Sequence, residues 1–272
     1  MYKRQVRVRV VESEDGRLPA ERLIEAIGPR TRVVAVSSVQ FTSGYRVDLE
    51  TLAAACRERD VFLAVDAIQS LGVLPVDVRA LGVGCLAADG RKWLFGPAAC
   101  AILDVAPEWS GRLRPAAPGA PSVENIEDFL QWTAWADDDG TVAIDGHWRE
   151  RAGRFESGFP NVLGAAGLAA AFEVGERIGV ETIRARVTAL ASRLAAAADD
   201  RGWPVYGPRD DAERAGIVTF VPPGDPETIG RRLVEEGFSL TVRGGRLRAS
   251  PHAYNTADEI DDLVAALERI AG

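Results

Sequence analysis

Val61-Phe62-Leu63-Ala64-Val65-Asp66-Ala67-Ile68-Gln69-Ser70-Leu71-Gly72 decides how the rest of the chain is read. Its first residues are apolar and β-rich, with no polar break before Asp66. That is the pattern of a short strand buried on both faces, as in a parallel sheet. Asp66 ends the run, where a buried parallel strand meets a ligand crevice. One βα unit later, Cys85-Leu86-Ala87-Ala88 leads into Asp89-Gly90-Arg91-Lys92-Trp93-Leu94-Phe95-Gly96-Pro97. A carboxylate and an amine thus leave adjacent regions of one sheet at its active edge.

That pair suits a particular chemistry. A cofactor such as pyridoxal phosphate needs a lysine for its Schiff base and an acid to keep its ring nitrogen protonated, so that the ring can act as an electron sink. Lys92 and Asp66 supply these groups. Partial burial and the neighbouring cation Arg91 would both lower the lysine pKa, which a nucleophilic amine requires. Taken singly, an Asp closing a strand is often only a helix cap, and a loop Lys is usually solvated. Their combination, with Gly90 and the Gly96-Pro97 turn behind the lysine, favours function.

The segments Val65–Gly72 and Gly90–Pro97 resemble the two signature segments of the class V aminotransferases, a family that includes cysteine desulfurases, kynureninase and isopenicillin-N-epimerase-like enzymes. The resemblance implies an α/β fold-type I enzyme dependent on pyridoxal 5′-phosphate. It pairs Asp66 with the pyridine nitrogen, Gln69 with the phenolic oxygen, and Lys92 with the cofactor through a Schiff base. Arg91 stands where many members carry His, and a guanidinium serves a phosphate well. Leu247-Arg248-Ala249-Ser250-Pro251-His252-Ala253-Tyr254-Asn255-Thr256 resembles the family's segment before its last helix. There the arginine binds the substrate α-carboxylate, which assigns that task to Arg248. Gln40, just after the strand Arg32–Val39, is by the same resemblance a substrate or cofactor contact. Arg154–Asn161 is similar to a turn that reaches the partner subunit's phosphate, with Phe159 in place of a Thr. A homodimer acting on a small amino acid is therefore expected. The role of Phe159 stays open, and His252 stays unassigned.

Composition excludes other classes. An apolar fraction of 47% and a charged fraction of 26% are those of an ordinary globular protein. A net charge of -8 argues against a nucleic-acid partner. No apolar run is long enough to span a bilayer and no secretory pattern opens the chain, so a cytoplasmic enzyme is expected. Cys56, Cys85 and Cys100 are scattered in apolar or helical contexts and read as reduced core residues. With two histidines and no paired cysteines, no metal site is expected.

In chain order, Gln5 to Val11 alternates like a strand, and Leu18 to Ile27 and Leu49 to Arg59 read as helices, the second capped by Asp48. Ala98 to Val105 reads as a strand. The β-α-β-α-β alternation implies a largely parallel sheet. Residues 106–147 are irregular, and Trp109, Trp132 and Trp135 are candidates for a substrate mouth or a dimer contact. Leu163 to Ile178 and Ile183 to Asp199 are long helices. Short strand–helix–strand units follow, with Thr256 capping a final helix. The expected organisation is a partial large, cofactor-binding domain at 1–162 with a mainly parallel sheet, and a small C-terminal α+β domain at 163–272.

Met1-Tyr2-Lys3-Arg4-Gln5 reads as a translated transposon end from library preparation, with a basic arm as the alternative. The matching segments begin near Val6, so the family's N-terminal part, with its Gly-rich phosphate loop, is expected to be missing. The activity expected is transamination, epimerisation or elimination at Cα/Cβ of an α-amino acid. The alternatives are a selenocysteine lyase- or cysteine desulfurase-like enzyme, and a non-catalytic fragment. Thr241–Arg246 holds no nucleophilic cysteine, which weighs against persulfide chemistry.

Overall fold

A computed structural model describes residues 6–124, 148–208 and 210–271. The expectations placed on Trp132, Trp135 and Met1–Gln5 lie outside the described residues.

Strand β2 (Phe62–Asp66) lies at the middle of the first sheet. It runs parallel to β1 (Val33–Ser37) on one side and to β3 (Cys85–Asp89) on the other. Strand β4 (Ala101–Val105) returns antiparallel to β3. The parallel ladders set Ser37 directly beside Asp66, because the register pairs them. Helices α1 (Ala20–Glu25) and α2 (Leu49–Glu58) flank this sheet, and α3 (Val78–Leu81) lies in the crossover from β2 to β3. Asp48 caps α2 as expected, its carboxylate accepting the Thr51 N–H at 3.1 Å. Leu52, Ala53 and Cys56 line the buried face of α2 against Leu63, Val65 and Leu86. The turn Pro107–Ser110 is a short α4.

Two expectations are corrected. Val6 to Val11 does not form a strand: Val6, Val8 and Val10 are exposed, and no strand pairs with them among the described residues. Alternation alone cannot make a strand, since its backbone groups need a ladder partner. Trp109 does not cover a substrate mouth. It packs edge-on against Phe62, ring centroids 5.0 Å apart, at the opposite end of β2 from Asp66.

The second half opens with α5 (Val162–Ile178) and α6 (Val180–Asp200). A second sheet then forms from β5 (Val205–Tyr206), β6 (Val218–Phe220), β7 (Thr241–Arg243) and β8 (Arg246–Ala249), in the order β5-β6-β8-β7 and antiparallel throughout. Gly244 and Gly245, both at positive φ, turn β7 into β8, the two-residue hairpin backbone that glycine permits. Helices α7 (Pro226–Glu235) and α8 (Ala257–Ala271) pack with α6 around Phe220, Leu233, Leu247 and Leu267. Thr256 and Glu259 form a reciprocal capping box: Glu259 N–H donates to the Thr256 hydroxyl at 3.2 Å, and Thr256 N–H to the Glu259 carboxylate at 2.8 Å.

A third cluster joins the two sheets. Val39, Val73, Leu74 and Trp93 meet Ile183, Val187, Ala215 and Ile217 there. The Thr219 hydroxyl donates to the Thr42 carbonyl at 2.8 Å across the same junction. Gly216 is what lets the indole in: a Cβ there would lie 2.3 Å from Trp93 Cη2 and 2.6 Å from Val187 Cγ1. Gly216→Ala is accordingly expected to destabilise the protein by about 1–3 kcal/mol through overpacking. Urea unfolding would show this as a lower midpoint at unchanged slope.

Candidate active site

The site lies where β1, β2 and β3 end. Asp66 closes β2 with its carboxylate held from two sides: one oxygen accepts the Ile68 N–H at 2.9 Å, the other the Ser37 hydroxyl at 3.1 Å. The carboxylate itself is exposed toward the crevice. Gln40, after β1, donates its amide N–H to the Ser37 carbonyl at 3.0 Å and so is tied to the strand residue that partners Asp66.

Gln69 is buried in the turn after β2. Its amide oxygen accepts the Trp93 indole N–H at 3.3 Å. That bond fixes which way the amide points, leaving its NH2 end as the donor for a further acceptor.

Lys92 sits in the segment linking β3 to β4. The segment doubles back tightly: Gly90 N–H donates to the Cys100 carbonyl, and Gly96 N–H to the Gly90 carbonyl, each at 2.8 Å. A Cβ on Gly96 would lie 2.9 Å from the Gly90 oxygen and 2.6 Å from Leu168, so the loop needs glycine there. Lys92 is half-buried, and its pKa falls below the ordinary lysine value. Desolvation contributes most, then the positive charges of Arg248 and Arg91, opposed by Asp66 and Asp89. The structure therefore brings Lys92, Asp66, Arg91 and Arg248 into one electrostatic neighbourhood, although Arg248 comes from the second sheet.

Arg248 lies on β8 between Thr219 and Thr241. Its Nε is buried and has no hydrogen-bond partner among the described residues. Burial, with Arg243 nearby, lowers its pKa. A half-buried guanidinium with an orphaned donor is a place for an anion. Arg91 is exposed and pairs with Asp89 at 2.9 Å, so it is already partly neutralised. Cys56 and Cys85 have thiols pushed up by burial, which disfavours the thiolate in both.

These residues fit pyridoxal phosphate at the ring and at the substrate carboxylate. Asp66 offers an oriented carboxylate for a pyridinium, Gln69 an oriented donor, Lys92 a depressed amine and Arg248 an unpaired donor on a cation. For the phosphate, this neighbourhood offers the partly neutralised Arg91. A large cavity of about 950 Å³ beneath Ser38, Tyr45 and Ser70 includes none of Lys92, Asp66 and Arg248 in its lining. Sequence reasoning missed Ser37 and Trp93 as parts of the site. Ser37 was findable from the β1–β2 register. Trp93 was findable only as the neighbour of Lys92.

The Aminotransferase class-V family model matches residues 1–263. A probable cysteine desulfurase of Pyrococcus abyssi (strain GE5 / Orsay) is 30% identical, the match covering 98% of this chain and 67% of the relative. The apo cysteine desulfurase of Thermococcus onnurineus NA1 superposes with a TM-score of 0.82 at 28% identity, over 97% of this chain and 66% of that one. A C-DES variant with glycine covalently linked to its PLP cofactor gives a TM-score of 0.77 at 26% identity, over 91% of this chain and 63% of that one. The chain thus spans about two thirds of the length of these relatives.

The surroundings of Lys92 predict opposite responses to two substitutions. Arg248→Leu removes a repelling cation and should raise the pH at which the Lys92 amine becomes reactive. Asp66→Asn removes an attracting anion and should lower it. Competitive acetylation across pH, with peptide mass spectrometry, reads both shifts.

Proposed function

The chain belongs to the class V aminotransferases, fold-type I enzymes dependent on pyridoxal phosphate, and on that premise we propose that it acts at Cα or Cβ of an α-amino acid by transamination, epimerisation or elimination. The observation that carries this reading is the depressed Lys92 amine set among Arg248, Arg91, Asp66 and Asp89.

Bound there, the cofactor would supply an electron sink for the pair of electrons left at Cα. Lys92 would hold it through Nζ and, once displaced by substrate, would take and return the proton at Cα. Its depressed pKa serves attachment of the cofactor and removal of the Cα proton, since each needs the neutral amine, and the ammonium so formed returns the proton. Asp66, oriented by Ser37 and Ile68, would keep the ring nitrogen protonated. Gln69 would donate its NH2 to the phenolic oxygen, and Arg91 would help hold the phosphate. Arg248 would grip the substrate α-carboxylate and so select which Cα bond stands perpendicular to the ring. Gln40 would contact substrate or cofactor at the rim.

A second reading, a selenocysteine lyase- or cysteine desulfurase-like activity, is favoured by the names of the relatives. Against a persulfide route stand the cysteine-free segment Thr241–Arg246 and the thiols of Cys56 and Cys85, whose pKa desolvation raises. Elimination without a thiol nucleophile is compatible with the same site. A chain that does not bind cofactor is the contrary outcome of the labelling experiment that follows. A homodimer is part of the proposal, supported by exposed apolar Phe159, Val162 and Leu163 where α5 begins. So is the division into a cofactor-binding domain at 1–162 and a small domain at 163–272. No helix among the described residues is long and apolar enough to cross a membrane; a cytoplasmic location is proposed on the family premise.

Incubation with pyridoxal phosphate followed by borohydride reduction should attach the pyridoxyl group selectively to Lys92, and Lys92→Ala should abolish that labelling. Absent or indiscriminate labelling, read by peptide mass spectrometry, would show that this chain does not form the site.

A further inference from the structure

His252 is buried, yet the proposed chemistry gives it no task. It sits between β8, which carries Arg248, and the capping box of α8. The turn around it is tightly pinned. His252 N–H donates to the Asn255 side chain at 2.8 Å, and Asn255 N–H returns to the His252 carbonyl at 3.0 Å. Arg186 on α6 donates to the carbonyls of Ala253 and Asn255 at 2.6 and 2.7 Å. The backbone therefore delivers the imidazole to a defined place.

That place is against the lysine loop. Trp93 stacks on the imidazole with centroids 5.0 Å apart, Phe95 meets it edge-on at 4.4 Å, and Tyr254 covers it in parallel at 4.6 Å. Two of the three rings belong to the lysine loop itself. Nδ1 accepts the Ala253 N–H at 2.8 Å, so the proton of a neutral ring is on Nε2. Nε2 is buried and has no hydrogen-bond partner among the described residues. Burial pushes the imidazole pKa below its ordinary value, so the ring is neutral near pH 7.

We propose that His252 is a positioning residue for Lys92, its imidazole packed on the Trp93 and Phe95 rings and so tying the lysine loop to the strand that carries Arg248. This rests on the reading of Lys92 as the cofactor-bearing residue. The consequence is that the Lys92 amine keeps its half-buried place beside Arg248, Arg91, Asp66 and Asp89 only while the clamp holds. Released, the amine relaxes toward water and its pKa rises.

The test is the pH midpoint of Lys92 acetylation in the full chain without cofactor, compared among wild type, His252→Phe and His252→Gln. Phe keeps an aromatic ring to pack on Trp93 and Phe95; Gln loses it. The expected result is an upward shift of about half a pH unit or more in His252→Gln, with His252→Phe closer to wild type. A midpoint unchanged or lowered in the Gln variant, or a Phe variant shifted as far as Gln, overturns the proposal. Should His252→Gln fail to fold, Tyr254→Leu at the exposed side of the stack must shift the midpoint upward, and an unchanged midpoint there is equally fatal. Borohydride trapping with pyridoxal phosphate runs in parallel: its failure in wild type removes the cofactor reading, while the midpoints still judge His252.

Discussion

Trp93 buries its indole where the two sheets meet, and much of the site depends on that packing. The ring fills space left by Gly216 against Val187, in the cluster that joins the first sheet to α6. Its N–H orients Gln69, its face stacks on His252, and its backbone continues directly from Lys92. A large aromatic gains by burying its area and is held in one pose when its N–H finds an acceptor. One residue thereby fixes an amide, an imidazole and the base of a lysine.

Around this anchor the charges are arranged to oppose one another. Lys92 feels two guanidiniums and two carboxylates, and burial decides the sign of the outcome. In a partly desolvated crevice such pairwise interactions are larger than in water, so modest displacements of Arg248 or Asp66 change the protonation of the amine. The Ser37–Asp66 bond matters for the same reason. A carboxylate tied to its own turn and to the neighbouring strand holds its distance from Lys92.

Arg91 shows a tension in the site. Its pairing with Asp89 orders the start of the lysine loop but diverts part of the cation that a phosphate would use. The orphaned Nε of Arg248 is the opposite case, a donor whose partner must come from outside the described residues. Together they leave the carboxylate end of the site better prepared than the phosphate end.

Much of this is legible in the amino-acid sequence. The unbroken apolar run before Asp66, the glycine-bracketed Lys92 and the Arg248 segment identify the family, the fold class and the parallel strands, because local pattern encodes burial and turn geometry. The Asp48 and Thr256 caps are legible for the same reason. Alternation at Val6–Val11 misleads, since a strand exists only by pairing with another, and that is not a local property. Trp109 misleads likewise: an aromatic ring buries wherever a surface is near, and here that surface is Phe62. The sequence by itself determined which chemical groups the chain carries and which elements hold them. Tertiary structure alone decided that Arg248, remote in sequence, stands beside Lys92, that Gln69 is turned by Trp93, and that His252 reaches the lysine loop. Those outcomes come from long-range packing and register, where distance in space is unrelated to distance along the chain.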